Sequence, residues 1–158
     1  MLACRLPLVC LFRSAYLSWA SGSGKAARLE EGGGGGRVER WERLALAAAQ
    51  QSLRAHGLKL QPATPVSDVA RLAADSQLAL LAAAGAPPLR EVVAHAAAQQ
   101  PAGSGSVLLI VGPPGDFTPA EVRLLADAGA RPVGLGDLRL RTETAALSLL
   151  AGARLLLD

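Results

Sequence analysis

The chain has 158 residues, room for one domain of ordinary size, and its 51% hydrophobic content is mainly alanine and leucine, with only 3% aromatics, so the core must be built from small aliphatic side chains. A formal net charge of +3 is compatible with an RNA partner but does not select one. Cys4 and Cys10 both lie at the start of the chain, which excludes a disulfide or cysteine-metal framework further on; no apolar run approaches the roughly 20 residues of a membrane-spanning helix. A soluble protein is expected, with no metal and no membrane partner.

From Met1 to Leu29 the chain carries Arg5, Arg13, Lys25 and Arg28 and no acidic residue. That composition fits an organelle transit peptide, chloroplast or mitochondrial. A secretory signal is the competing reading, with Leu6 to Phe12 as its apolar stretch, although Arg13 cuts that stretch short. Without such a leader the protein is expected in the cytoplasm. Gly32 to Gly36 form a low-complexity joint, so residues 1–36 are read as leader and linker and 37–158 as the domain. Val38, Trp41, Leu44, Ala45, Ala48 and Ala49 recur at helical spacing, predicting an amphipathic helix to about Arg54 with Trp41 as a core anchor. A short helix after Ser67-Asp68 follows. Leu78 to Ala84 reads equally as helix or buried strand. Pro88 suits the first turn of a helix whose face is Leu89, Val92, Val93 and Ala96.

The last third is clearer. Val107 to Val111 is a short apolar run between Gly/Ser and Gly-Pro, as expected of a strand buried on both faces. Thr118-Pro119-Ala120-Glu121 is a capping box with proline at the first helical position, which predicts a helix from Pro119 to about Gly129. Arg131 to Gly136 predicts a second strand, and a final helix runs from Thr142 to about Leu157. Alternating strands and helices with short joints imply an α/β fold, a parallel sheet covered by helices.

Ligands of open parallel sheets bind at the carboxyl ends of strands. The loops after Val111 and Leu135 are therefore the places to look. Gly112-Pro113-Pro114-Gly115-Asp116-Phe117 begins like a phosphate-binding loop, but Phe117 and Thr118 stand where that loop needs glycine and lysine. The simplest dinucleotide motif is absent as well. His56 and His95 have no ligand partners nearby in sequence, and Glu121 has a sufficient role in its cap.

The second loop is more specific. Leu135-Gly136, Leu140 and the run Arg141-Thr142-Glu143-Thr144-Ala145 resemble the C-terminal signature L-G-x-R-I-L-R-T-E-T-A of the RsmE family, ribosomal-RNA uridine N3-methyltransferases of the SPOUT superfamily. Leu109 to Glu121 is similar to that family's L-I-G-P-E-G-G-F-[ST]-x-x-E stretch. Arg40-Trp41-Glu42-Arg43-Leu44-Ala45 through Gln50-Gln51-Ser52 and Arg54 is similar to its R-W-x-[RK]-I-x-x-x-A-x-E-Q-S-x-R helix. The three motifs fall in the family's order and span residues 37–158.

The resemblance implies a trefoil-knotted α/β domain, a homodimer, that uses S-adenosylmethionine to methylate N3 of a uridine in small-subunit (16S) ribosomal RNA. By position, Gly112, Pro113, Gly115, Leu135, Gly136, Leu140 and Thr142 would bind the cofactor. Arg141 and Glu143 would be catalytic, with Arg141 stabilising the charge spread over the uracil carbonyls when N3 loses its proton. Arg40, Arg54 and Arg139 would contact RNA. No metal is implied, since the sulfonium supplies the electrophile.

The chain departs from the pattern at Pro114 and Asp116, which replace glutamate and glycine, at Asp137 and Leu138, which alter the x-R pair, at Gln50 in place of glutamate and at Leu53 in place of glycine. The family's PUA-like barrel and the opening strand and helix of its knotted domain are not recognisable upstream of Arg37, so an incomplete domain is expected. The alternative to an active enzyme is a non-catalytic remnant that dimerises or binds RNA. Gly112 and Gly136 are expected at adjacent strand ends, where their turns would form one pocket.

Overall fold

The computed structural model describes residues 34–53, 65–99, 106–112 and 115–157. Their elements are α1 (Gly34–Gln51), α2 (Val66–Asp75), β1 (Leu78–Ala82), α3 (Leu89–Gln99), β2 (Val107–Ile110), α4 (Pro119–Asp127), β3 (Ala130–Val133) and α5 (Thr142–Leu157). Everything from α2 onward falls in one compact unit, and α1 belongs to another.

Helix α1 begins at Gly34, inside the glycine-rich stretch read as linker, and ends at Gln51, short of the expected Arg54. Leu53, where the resembled pattern has glycine, adopts φ 51°, a conformation that costs a residue with a Cβ about 1 kcal/mol. Trp41 is 36% exposed and Leu44 58%, so the expected core anchor is not buried; from Trp41 to Ala49 only Ala49 of the predicted stripe is buried. Arg54 and His56 lie outside the described residues.

In the other unit β1, β2 and β3 form a parallel sheet in the order β2-β1-β3. Leu78 to Leu81 pair with Val107 to Ile110 on one side, and Ala79 to Ala82 pair with Ala130 to Val133 on the other. Leu78 to Ala84, ambiguous by periodicity, thus contains the central strand. Its consecutive Leu80 and Leu81 point to opposite faces and are both at 0% exposure, which requires cover on both sides. Helices α3 and α5 pack against each other and α2 packs against α4. Leu78, Leu80, Leu109 and Val133 join Leu89, Val93, Ala145, Ala146 and Leu149 in the main core cluster. Ala79, Leu81, Leu108 and Ile110 alternate onto the second face, where α2 buries Val66, Val69, Ala70 and Ala73 and α4 buries Leu125.

The expectation that the two glycine turns leave adjacent strands is corrected by this order, because β1 stands between β2 and β3. A short β2-α4-β3 connection suggests neighbours, yet the central place belongs to the strand that is apolar on both faces. The chain leaves β1 towards one side through α3 and returns across it through α4. This is the reversal at which α/β sheets open a crevice beyond their carboxyl ends.

Helix α4 starts as its sequence dictates. The Thr118 hydroxyl accepts from the Glu121 amide at 3.3 Å, and the Glu121 carboxylate accepts from the Thr118 amide at 2.8 Å and from its hydroxyl at 2.9 Å. Two amides that a helix start leaves unpaired are satisfied reciprocally. Because Leu80 and Leu149 are fully buried in one cluster, replacing either by alanine should lower the unfolding free energy by about 2–5 kcal/mol, read from urea denaturation.

Candidate functional site

Three loops leave the carboxyl end of the sheet: residues 83–88 after β1, 111–118 after β2 and 134–141 after β3. The first was not picked out by sequence, yet it fixes the third. The Ala83 amide donates to the Val133 carbonyl at 3.0 Å, the Gly134 amide to the Pro87 carbonyl at 2.7 Å, and the Leu89 amide to the Gly134 carbonyl at 3.1 Å. A β-carbon at position 134 would run into the Ala86 carbonyl oxygen, so glycine is what lets the two backbones meet. The available signal was Gly85 with Pro87-Pro88, turn chemistry placed directly after an apolar run.

Of the sequence-predicted cofactor residues, Gly112 is half-buried at the end of β2, while Gly115 and Gly136 are exposed with φ 102° and 117°. At the latter two the direction of a side chain meets nothing within 4 Å, so glycine is set there by its positive φ and not by crowding. Leu135 and Leu140, both half-buried, pack against the main core cluster, which anchors both ends of the exposed Gly136 to Arg139 turn. Thr142 is half-buried at the first position of α5. Pro113 lies outside the described residues.

Arg141 is exposed immediately before α5, and its carbonyl accepts from the Ala145 amide at 2.8 Å. Its backbone is thereby held by the helix start, while its guanidinium has no protein partner among the described residues. Glu143, in the first turn, is exposed too. Arg139 reaches back to the loop after β2, its guanidinium 3.7 Å from the Asp116 carboxylate. The loops that hold Gly112 and Gly136 therefore meet, although their strands do not. Arg40 is exposed on α1, in the other compact unit. His95, read as lacking ligand partners, is 2.8 Å from the Gln99 side-chain amide, whose oxygen accepts from Arg131 at 3.1 Å. Among the described residues no three His, Cys, Asp or Glu side chains converge as a metal site would require.

A three-stranded parallel sheet with reversed winding, glycine turns at its carboxyl end and a guanidinium at the adjoining helix start define an α/β domain with a candidate ligand crevice beyond its strand ends. Residues 27–154 match the RNA methyltransferase domain family. The chain is 37% identical over 141 residues to the ribosomal RNA small subunit methyltransferase E of Mycobacterium bovis, covering 84% of this chain and 49% of that protein. The fold matches a putative methyltransferase of Legionella pneumophila in complex with its bound cofactor SAM, with a TM-score of 0.65 and 28% identity over 77% of this chain and 47% of that one. It also matches a ribosomal RNA small subunit methyltransferase E of Neisseria gonorrhoeae bound to S-adenosyl methionine, with a TM-score of 0.62 and 28% identity over 77% and 48% of the two chains. The chain belongs to the RNA methyltransferase family, among relatives of the RsmE type, and spans about half the length of those it matches.

Gly134→Ala sets a β-carbon against backbone, whereas Gly152→Ala meets only the tip of Leu89. The first should lower the thermal midpoint by about 4 °C or more, the shift that ~1 kcal/mol produces in a small domain. The second should change it less, both being followed by circular dichroism.

Proposed function

We propose that this chain is an S-adenosylmethionine-dependent methyltransferase acting on N3 of a uridine in small-subunit ribosomal RNA. The observation that carries the reading is the meeting of the loops after β2 and β3, 3.7 Å apart at Asp116 and Arg139, with Arg141 two residues beyond in the same loop. Gly112, Gly115 and Gly136 present backbone for an adenosine, and Leu135, Leu140 and Thr142 fix the turn behind it. S-adenosylmethionine, when bound, supplies a methyl group activated by its sulfonium. Arg141 faces the target base. Its guanidinium offsets the negative charge that spreads over O2 and O4 when uracil N3 is deprotonated, and its attachment to the start of α5 limits the reorganisation this requires.

Glu143, two residues further on in the first turn of α5, accepts the proton that uracil N3 loses. Arg40 and Arg54 serve as phosphate contacts, which position RNA without reading its sequence. The reading includes the knotted path and the homodimer that the RsmE resemblance implies. An exposed stripe on α5, Leu147 (64%) and Leu155 (83%) with Ala151 between them, supplies apolar surface for a second copy. The acid-free basic stretch from Met1 to Leu29 supports import into an organelle.

Isothermal titration of the chain with S-adenosylhomocysteine should give saturable heat, and a folded sample giving none would defeat the cofactor assignment. Arg141→Ala should retain that affinity while lowering the rate of methyl transfer to small-subunit RNA by about 10²–10³, the usual loss when one transition-state donor is removed. Replacing Leu155 by glutamate should convert a dimer to a monomer in sedimentation.

A further inference from the structure

The carboxylate of Asp116 makes three approaches that together reach across the site. Its Oδ1 accepts from the Phe117 amide at 2.9 Å. The same oxygen leans over Gly112, where a β-carbon would lie only 2.8 Å from it. Its Oδ2 faces the Arg139 guanidinium at 3.7 Å. Asp116 also holds φ 71°, a backbone conformation that aspartate tolerates better than most side chains.

The two charged residues share a second property. In the resembled pattern, Asp116 stands at a glycine and Arg139 at an isoleucine, so both charges are additions, and each faces the other. An arginine near RNA would ordinarily be assigned to a phosphate. Here its nearest charge is a carboxylate on the other loop of the candidate cofactor pocket.

We infer that Asp116 and Arg139 are a positioning pair for the methyltransferase site: they clasp the loop after β2 to the loop after β3 and set the spacing between Gly112 and Gly136. The inference rests on the cofactor reading above. Neither residue touches the reacting atoms. Their effect passes through the width of the pocket, so it belongs to cofactor binding and not to the transfer step. The separation exceeds hydrogen-bond length, and the Arg139 side chain is 71% exposed and that of Asp116 43%. The pair is therefore a modest, salt-sensitive clasp, and the expected effect is two- to fivefold, roughly the yield of an exposed ion pair.

The test is a double-mutant cycle on the full chain, with S-adenosylhomocysteine titrated by calorimetry at low salt and at about 0.5 M salt, where the Debye length falls to a few ångströms. D116N and R139Q should each raise Kd about two- to fivefold at low salt. The double variant should bind no worse than the weaker single one, R139K should bind like the unaltered chain, and high salt should erase the differences. In methyl-transfer assays KM for S-adenosylmethionine should rise in the single variants while kcat at saturation stays the same. Losses that multiply in the double variant, a fall in kcat with KM unchanged, or single variants that bind as the unaltered chain does would each overturn the pair while leaving the cofactor reading intact. Failure of the unaltered chain to bind would overturn both.

Discussion

Strand β1 has to be buried on both faces and hydrogen-bonded on both edges, and the remainder of the unit is arranged to meet that demand. Leu80 and Leu81 are fully buried and point to opposite sides, so neither a one-sided sheet nor an edge position satisfies them. Each such leucine contributes about 1.5–3 kcal/mol when removed from water. The helices α3 and α5 on one face and α2 and α4 on the other are the cover. Winding to both sides of β1 follows from the same requirement, and that reversal opens the space beyond the strand ends.

The central strand also sets how the loops can meet. With β1 between them, the ends of β2 and β3 lie two strand spacings apart, close to 10 Å, too far for short turns to touch without help. Two arrangements span the gap. The loop after β1 is tied by backbone hydrogen bonds to Gly134, so it travels with the third loop. The long side chain of Arg139 then reaches across to the Asp116 carboxylate on the second. The backbone tie is the stronger of the two, since its groups are fixed by the strands on either side, whereas the ion pair is exposed and exchanges with water.

Much of this was legible in the sequence, in proportion to how local its causes are. The capping box at Thr118 and Glu121 appears as the residue types dictate, because every atom involved lies within four positions. The apolar run at Val107 and the helix from Thr142 were readable for the same reason. Leu78 to Ala84 was not, since a fully buried strand and a buried helix segment share one composition, and only pairing with two other strands decides between them. Strand order escaped too, being a property of the whole sheet. In the candidate site the glycines and Arg141 could be named through the family motifs, whereas the role of the first loop and the meeting of Asp116 with Arg139 are contacts between segments far apart in sequence. Trp41 was misplaced because amphipathic spacing shows which face of a helix is apolar and leaves open whether anything covers it.

Arg141 is the side chain whose position stability explains least. The start of a helix carries a partial positive charge, so an acidic residue there is favourable and a cation is not; Glu143 in the first turn of α5 follows that preference and Arg141, one residue before the helix, opposes it. Nor, among the described residues, does a carboxylate hold its guanidinium, in contrast to Arg139 two residues earlier. Exposure keeps the cost to a few tenths of a kcal/mol, small enough to persist and of the wrong sign to be rewarded by folding. A guanidinium added to the positive end of a helix, beside open backbone at the mouth of a sheet crevice, gathers two like fields on one point. That arrangement gains energy only when negative charge arrives there, as a phosphate or a deprotonated base would bring it.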